Sequence, residues 1–179
     1  MVDPVTSERW LFRAVFAGLA ALIIFLRLLP FQIHGGGVPS PDVIEVLAFV
    51  WVLRRPDYVP PLLIAAILLV ADLLFLRPIG LWAGLVVLGL EFLRGREHLS
   101  RDLPFLLEWG LVGLTMAAVT AAHVVVLGVF MVPQPPLAFS FLQLAVTILA
   151  YPPVVALTRY AFGIRKMAPG QVDALGHRL

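Results

Sequence analysis

Four ionisable side chains interrupt the apolar segments of this chain and are its first candidates for chemistry: Arg27, Glu45, Asp72 and Arg77. At a rise of about 1.5 Å per residue, all four lie within one or two helical turns of the same end of their segments. A carboxylate in hydrocarbon is costly, so it should face protein or water rather than lipid. Two acids and two arginines at one level therefore predict an ion-pair cluster that orients the helices. Two alternatives stay open: a partner-docking or ligand site at Asp72, and acid catalysis by Asp72 with Glu45.

Polar residues also recur on one face of each of the last two apolar segments. In the fifth segment, Thr120 and His123 share a helical face. In the sixth, polar residues are spaced by three, four, four and seven: Ser140, Gln143, Thr147, Tyr151 and Thr158. Hydrogen bonding between helices is one explanation, worth about 0.6 kcal/mol per pair in membranes. The alternative is a small-molecule cavity, for which the candidate lining residues are Thr120, His123, Gln143, Thr147 and Tyr151.

Several catalytic and cofactor chemistries lack the residues they need. The chain has no cysteine, which excludes disulfides, thiolate metal sites and cysteine nucleophiles. It contains no GxSxG, HExxH or phosphate-binding Gly-rich motif. Its four histidines are scattered along the sequence, so we predict neither a metal site nor a cofactor. The net charge of +2 does not suggest nucleic acid. We therefore expect a protein that is not an enzyme.

The composition is that of a membrane protein. It is 61% hydrophobic and 13% charged, against about 45–50% and about 25% in soluble domains. The fifty residues Trp109–Thr158 contain no Asp, Glu, Lys or Arg, which leaves room for two spans of about 20 residues. We predict an all-α integral membrane protein, with residues 1–179 forming one domain. Its six transmembrane helices are expected at about residues 10–29, 42–53, 58–76, 79–93, 103–132 and 137–160.

The second of these spans is short. Twelve residues reach about 18 Å, whereas the hydrocarbon core is about 30 Å thick. The basic residues nevertheless favour a true span: eleven of the thirteen lie on the side of both termini, and only Arg27 and Arg77 lie on the other. The excess of positive charge places both termini in the cytoplasm. If the second segment were re-entrant, Arg54 and Arg55 would break this alternation.

Two local patterns concern helix packing. Arg94 follows Glu91 by three residues, a spacing at which an ion pair forms readily on a helix. Two pairs of small residues allow close approach of helices in membranes: Ala14 with Gly18, and Gly80 with Gly84.

Five short motifs give the chain its resemblance to known proteins: Trp51-x-x-Arg54-Arg55-Pro56-Asp57, Pro60-Pro61, Ala71-Asp72-Leu73-Leu74, Arg77-Pro78-x-Gly80-Leu81-Trp82 and Tyr151-Pro152. Together with the length and the six predicted spans, this order resembles the MreD family of rod shape-determining membrane proteins over nearly the whole chain. The resemblance implies a fold similar to that of the substrate-binding subunits of energy-coupling-factor transporters. The family-motif positions are then Arg54, Pro56, Asp72 and Gly80.

The resemblance further implies a non-enzymatic scaffold in the bacterial inner membrane that maintains rod shape during peptidoglycan synthesis. Its expected partners are MreC and, indirectly, MreB, RodA and a class B penicillin-binding transpeptidase. We expect the membrane helix of an MreC-like partner to pack into a lipid-facing apolar groove with small residues. The alternative is the substrate-binding subunit of a vitamin-type transporter, which needs a polar cavity open to the outside. An intramembrane hydrolase would need turnover that depends on Asp72.

Overall fold

The computed structural model describes residues 4–29, 39–96 and 103–162. Within these ranges the chain is all-helical and has no strand, as the all-α part of the predicted fold class requires. The elements are α1 (Pro4–Leu28), α2 (Val43–Arg54), a 3-10 helix (Pro56–Tyr58), α3 (Pro61–Leu74), α4 (Leu81–Arg94), α5 (Phe105–Val129) and α6 (Leu137–Phe162). Four of the eleven basic residues assigned to the cytoplasmic side lie outside the described ranges: Arg101, Arg165, Lys166 and Arg178.

Among the residues that the structure describes, three helices are long and apolar enough to cross a membrane: Thr6–Leu28 within α1, all of α5 and all of α6. They contain 23, 25 and 26 residues, or about 35–39 Å of helix, which exceeds the bilayer core of about 30 Å. Between 17% and 33% of their most apolar windows is buried inside the protein. Most of their apolar surface therefore faces outward, which is compatible with a membrane protein whose outer surface is covered by lipid.

α2, the shortest α-helix among the described residues, lies at the centre of the bundle. Every residue from Ile44 to Arg54 is buried. α2 packs against α1, α4 and α6, and the contacts between the remaining helices follow the order α1, α3, α4, α5, α6. The Trp51 ring lies between Phe16 of α1 and Phe162 of α6, at centroid distances of 5.4 and 5.9 Å. A helix that is apolar on every side belongs in such a position, because no face of it meets water.

Gly89 of α4 lies against α5 where a larger side chain has no room. A Cβ atom at this position would lie 2.9 Å from Val119 Cγ2 and 3.2 Å from Thr115 Cγ2. The small-residue pairs identified in the sequence do not play this part within the chain. Apart from the neighbouring backbone of its own helix, no atom of the described residues lies within 4 Å of the place that a Cβ would occupy at Gly18 or Gly84, and both glycines are exposed.

The helix boundaries differ from the predicted ones because turns interrupt apolar runs. α1 begins at Pro4, six residues before the expected start. The third predicted span, 58–76, begins inside the 3-10 helix, and α3 itself runs from Pro61 to Leu74. α5 ends at Val129, three residues before its predicted end, because the backbone turns there.

Candidate functional site: a polar cavity beside Asp42

Asp42 contacts both arginines at one end of the bundle. Its Oδ1 accepts a hydrogen bond from the Glu45 backbone N–H at 3.3 Å, so that Asp42 is the N-cap of α2. Its Oδ2 accepts two hydrogen bonds from the Arg77 guanidinium, each of 3.2 Å. Arg27 Nη1 lies 3.7 Å from the same oxygen. Because Asp42 is only 4% exposed, this buried carboxylate depends on two cations and a helix N-terminus for its stabilisation.

Sequence reasoning missed Asp42 as the acid of this cluster. It grouped Arg27 and Arg77 with Glu45 and Asp72, whereas the structure places both arginines on Asp42. In the part of the chain that the structure describes, neither Glu45 nor Asp72 makes a salt bridge. A signal was present, since Asp-x-x-Glu at the start of an apolar helix has the spacing of a capping box.

Asp72 instead holds the beginning of α4. Its Oδ2 accepts hydrogen bonds from the backbone N–H groups of Gly80 and Ala83, both at 3.2 Å. Gly80 is the N-cap residue of α4 and has a φ of +82°, a conformation that favours glycine. The fully buried Asp72 therefore satisfies N–H groups that would have no partner at a helix start. It connects the last turn of α3 to the first turn of α4.

At this end of the bundle, α3 and α5 each end in the same type of turn. Leu76 after α3 and Met131 after α5 have φ values of 54° and 52°. In both turns the N–H of the next residue bonds at 2.9 Å to the carbonyl oxygen five residues earlier. This is the Schellman arrangement, in which the left-handed residue is usually glycine. Here bulky apolar side chains occupy the position, and they are 93% and 90% exposed.

A cavity of about 330 Å³ lies between these turns and the start of α2. Four of the five residues proposed for a polar cavity line it: Thr120, His123, Gln143 and Thr147. Hydrogen bonding between helices, the other explanation for these residues, also occurs. Thr147 Oγ1 accepts from the Asp42 backbone N–H at 3.1 Å, and its hydroxyl donates to the Gln143 carbonyl oxygen at 2.7 Å.

Among the described residues, three that line the cavity carry buried polar atoms without a hydrogen-bond partner: Glu45, Trp82 and His123. Glu45 is 2% exposed, and its Oε1 has no partner among the described residues. The same is true of His123 Nε2, whose ring packs edge-on against Trp82 at a centroid distance of 5.1 Å. Within the described ranges, no three His, Asp or Glu side chains come together as metal ligands. The arrangement is suited to hydrogen bonding with a guest molecule.

Tyr151, the fifth residue proposed for the cavity, lies elsewhere. Its hydroxyl donates a 2.6 Å hydrogen bond to Glu108 Oε1, the oxygen that Arg54 Nη1 contacts at 3.1 Å. All three residues are buried. Arg54 is the last residue of α2, so this group fixes one end of the central helix while Asp42 fixes the other.

The connections at the Arg54 end are fastened by polar contacts. Pro56 begins the 3-10 helix, and the Tyr58 hydroxyl donates to Glu8 Oε1 at 2.7 Å. Burial and this hydrogen bond raise the pKa of Tyr58 to about 12. The predicted ion pair between Glu91 and Arg94 is confirmed, with Arg94 Nε 3.2 Å from Glu91 Oε1.

The fold and the site together define a helical bundle with an apolar exterior and a polar cavity at one end. No protein-family model, curated protein or solved structure matches the chain.

Proposed function

We propose that this protein is a multi-pass scaffold of the bacterial inner membrane that acts in cell-wall elongation, as MreD proteins do. In this proposal the six helices span the bilayer with both termini in the cytoplasm. The protein binds the membrane helix of an MreC-like partner. Through that partner it connects MreB filaments to RodA and a class B penicillin-binding transpeptidase.

The observation that carries the proposal is that the residues of the family motifs make contacts that connect helices. Arg54 binds a buried glutamate of α5, and Arg77 binds the aspartate that begins α2. Asp72 and Gly80 form the connection between α3 and α4. These side chains, on which the family resemblance rests, hold helices in fixed positions. That use supports a rigid docking platform.

The six-span topology is supported by how α2 is enclosed. Its twelve residues cover about 18 Å, and a lipid-exposed helix of that length would leave the bilayer mismatched. α2 meets protein on all sides, so lipid thickness does not act on it directly. A cavity lined in part by polar side chains lies at its Asp42 end.

The proposed docking surface is the outward face of the bundle. Gly18 of α1 and Gly84 of α4 are exposed and make no close contact within the chain. Large apolar side chains next to them, such as Leu22 and Leu88, are 52% and 67% exposed. Small residues between large ones leave a shallow groove that a single apolar helix can fill by van der Waals packing.

The test is to purify the tagged full-length chain in a mild detergent from the bacterium that encodes it. Mass spectrometry of the co-purifying proteins should find an MreC-like protein. Gly18→Leu and Gly84→Leu each fill one candidate groove, and Gly110→Leu is the matched control at another glycine with no close contact. We expect one of the first two variants to reduce partner recovery at least fivefold. Recovery of no cell-wall elongation protein would contradict the scaffold.

Reporter fusions test the topology separately. Fusions at both termini should give cytoplasmic signals, whereas a periplasmic C-terminus would contradict six spans. If both leucine variants keep the partner, the helix docks on another surface and the groove assignment is wrong.

The cavity favours a second candidate function, the substrate-binding subunit of a small-molecule transporter. Its volume of about 330 Å³ is at the lower end of the range of about 300–1,000 Å³ for small-molecule sites. Retention of a vitamin-sized molecule by the purified protein would support this function, as would co-purification with a transporter ATPase.

A further inference from the structure

The Glu45 side chain lines the cavity but does not make the hydrogen bond expected of it at the start of α2. In a complete capping box, the glutamate three residues after the N-cap accepts a hydrogen bond from the N-cap backbone N–H. Here the Asp42 N–H is donated to Thr147 Oγ1, so Glu45 has lost that partner. Only the first half of the box is made, from the Glu45 N–H to Asp42 Oδ1.

The arginines near Glu45 are already bound to another acid. Both Arg77 nitrogens contact Asp42 Oδ2, and Arg27 lies against the same oxygen. This end of the bundle therefore has two arginines and three acids, counting Asp72 with Asp42 and Glu45. Among the described residues neither Glu45 nor Asp72 makes a salt bridge, and each has one buried carboxyl oxygen without a hydrogen-bond partner, Glu45 Oε1 and Asp72 Oδ1. Asp72 is held by two backbone N–H groups at the start of α4 and does not line the cavity, whereas Glu45 does line it.

A buried acid without a partner carries a large free-energy cost unless something else satisfies it. The cavity walls beside it are mixed. The ring of Trp82 and the side chains of Val124, Leu127 and Leu144 offer apolar surface. His123 Nε2 and Trp82 Nε1 are ring nitrogens without a hydrogen-bond partner among the described residues. A guest that fits both features has a positively charged hydrogen-bond donor and a small apolar body.

We propose that the cavity binds a primary ammonium group, held by Glu45, with the apolar part of the guest against Trp82. The inference rests on the cavity being a binding site, the second function proposed above, and is independent of the scaffold role. The ammonium group has two sources, a soluble amine or the headgroup of phosphatidylethanolamine. Both present N–H donors and one positive charge to the carboxylate.

The probes are three molecules of similar shape and different charge: benzylammonium, neutral benzyl alcohol and anionic benzoate. Binding to the full chain in phosphatidylcholine nanodiscs is measured as the ligand-dependent rise in Tm. We expect benzylammonium to bind at least tenfold more tightly than either of the others. This comparison needs no variant. Equal binding of the alcohol, or tighter binding of benzoate, would overturn the assignment while leaving the cavity a binding site. Binding of none of the three would overturn both.

Glu45→Gln keeps the shape of the side chain and removes its charge. It should reduce benzylammonium affinity at least tenfold, whereas Glu91→Gln, at an acid outside the cavity, should leave it unchanged. Equal affinity in the Glu45 variant would refute the role of that residue. Replacing half of the phosphatidylcholine with phosphatidylethanolamine separates the sources. A weaker apparent affinity for benzylammonium assigns the site to the lipid headgroup, and an unchanged affinity assigns it to a soluble amine.

Discussion

Replacing Asp72 tests the central structural assignment of the α3–α4 connection. Asp72→Leu removes the acceptor of two hydrogen bonds of 3.2 Å, from Gly80 and Ala83. Hydrogen bonds to charged groups contribute about 1.5–3 kcal/mol each. The replacement also leaves two N–H groups without a partner near a buried position. We therefore expect a loss of at least about 3 kcal/mol in the free energy of unfolding.

Asp72→Asn separates the charge from the acceptor. The amide oxygen still accepts, but neutral hydrogen bonds are about half as strong as charge-assisted ones, so the loss should be about half that of the leucine variant, or at least about 1.5 kcal/mol. For a chain of this size 1 kcal/mol corresponds to about 2–4 °C in Tm. The leucine variant should then unfold at least about 6–12 °C below the wild type and the asparagine variant at least about 3–6 °C below it.

The assay is thermal unfolding in detergent, followed by far-ultraviolet circular dichroism. Asp57→Asn, at an exposed acid in the 3-10 helix, is the control and should shift Tm by less than about 2 °C. A leucine variant as stable as this control would refute the capping role of Asp72. Equal losses in the leucine and asparagine variants would show that charge, and not the acceptor, is what matters.

Three further substitutions test other contacts by the same unfolding measurement. Gly89→Ala should lower Tm, because its Cβ would lie 2.9 Å from a valine methyl of α5. Gly84→Ala is the control and should not lower Tm, because there is open space around that position. Equal Tm shifts in the two variants would contradict the close packing at Gly89. Leu76→Gly should raise stability by about 1 kcal/mol, because it relieves a left-handed backbone at an exposed site; a lower Tm would show that the side chain itself stabilises the turn. Glu108→Gln should cost about 3–5 kcal/mol, because it leaves the buried Arg54 guanidinium without its charged partner, and wild-type stability would contradict that pairing.

The number and order of the helices could be predicted from the sequence, but several of their ends could not. Apolar runs separated by charged or proline-containing stretches marked six segments, and six helices occur within the described ranges. The errors came where turns use residues with no turn signal. Leu76 and Met131 adopt the left-handed conformation usually reserved for glycine, so the apolar runs appeared to continue through them.

The sequence predicted at which level of the bundle the charged residues of the candidate site lie, but not which of them pair with one another. Arg27 and Arg77 were expected at one level, and both contact Asp42 there. Their partner depends on how α1, α2 and the end of α3 lie relative to one another, which spacing along the sequence does not determine. Tyr151 shows the same limit, because it shares a helical face with Thr147 but bonds to Glu108 away from the cavity.

The enclosed position of α2 has a consequence for how the protein is made. In the proposed topology this helix leaves the ribosome well before α6, which is one of its main neighbours. About 100 residues separate the two, which corresponds to roughly 5–20 s of synthesis at about 5–20 residues per second. During that interval a twelve-residue segment with acids at its start and arginines at its end has no finished surroundings. The proposed topology therefore requires the insertion machinery to accommodate this segment before α6 is made.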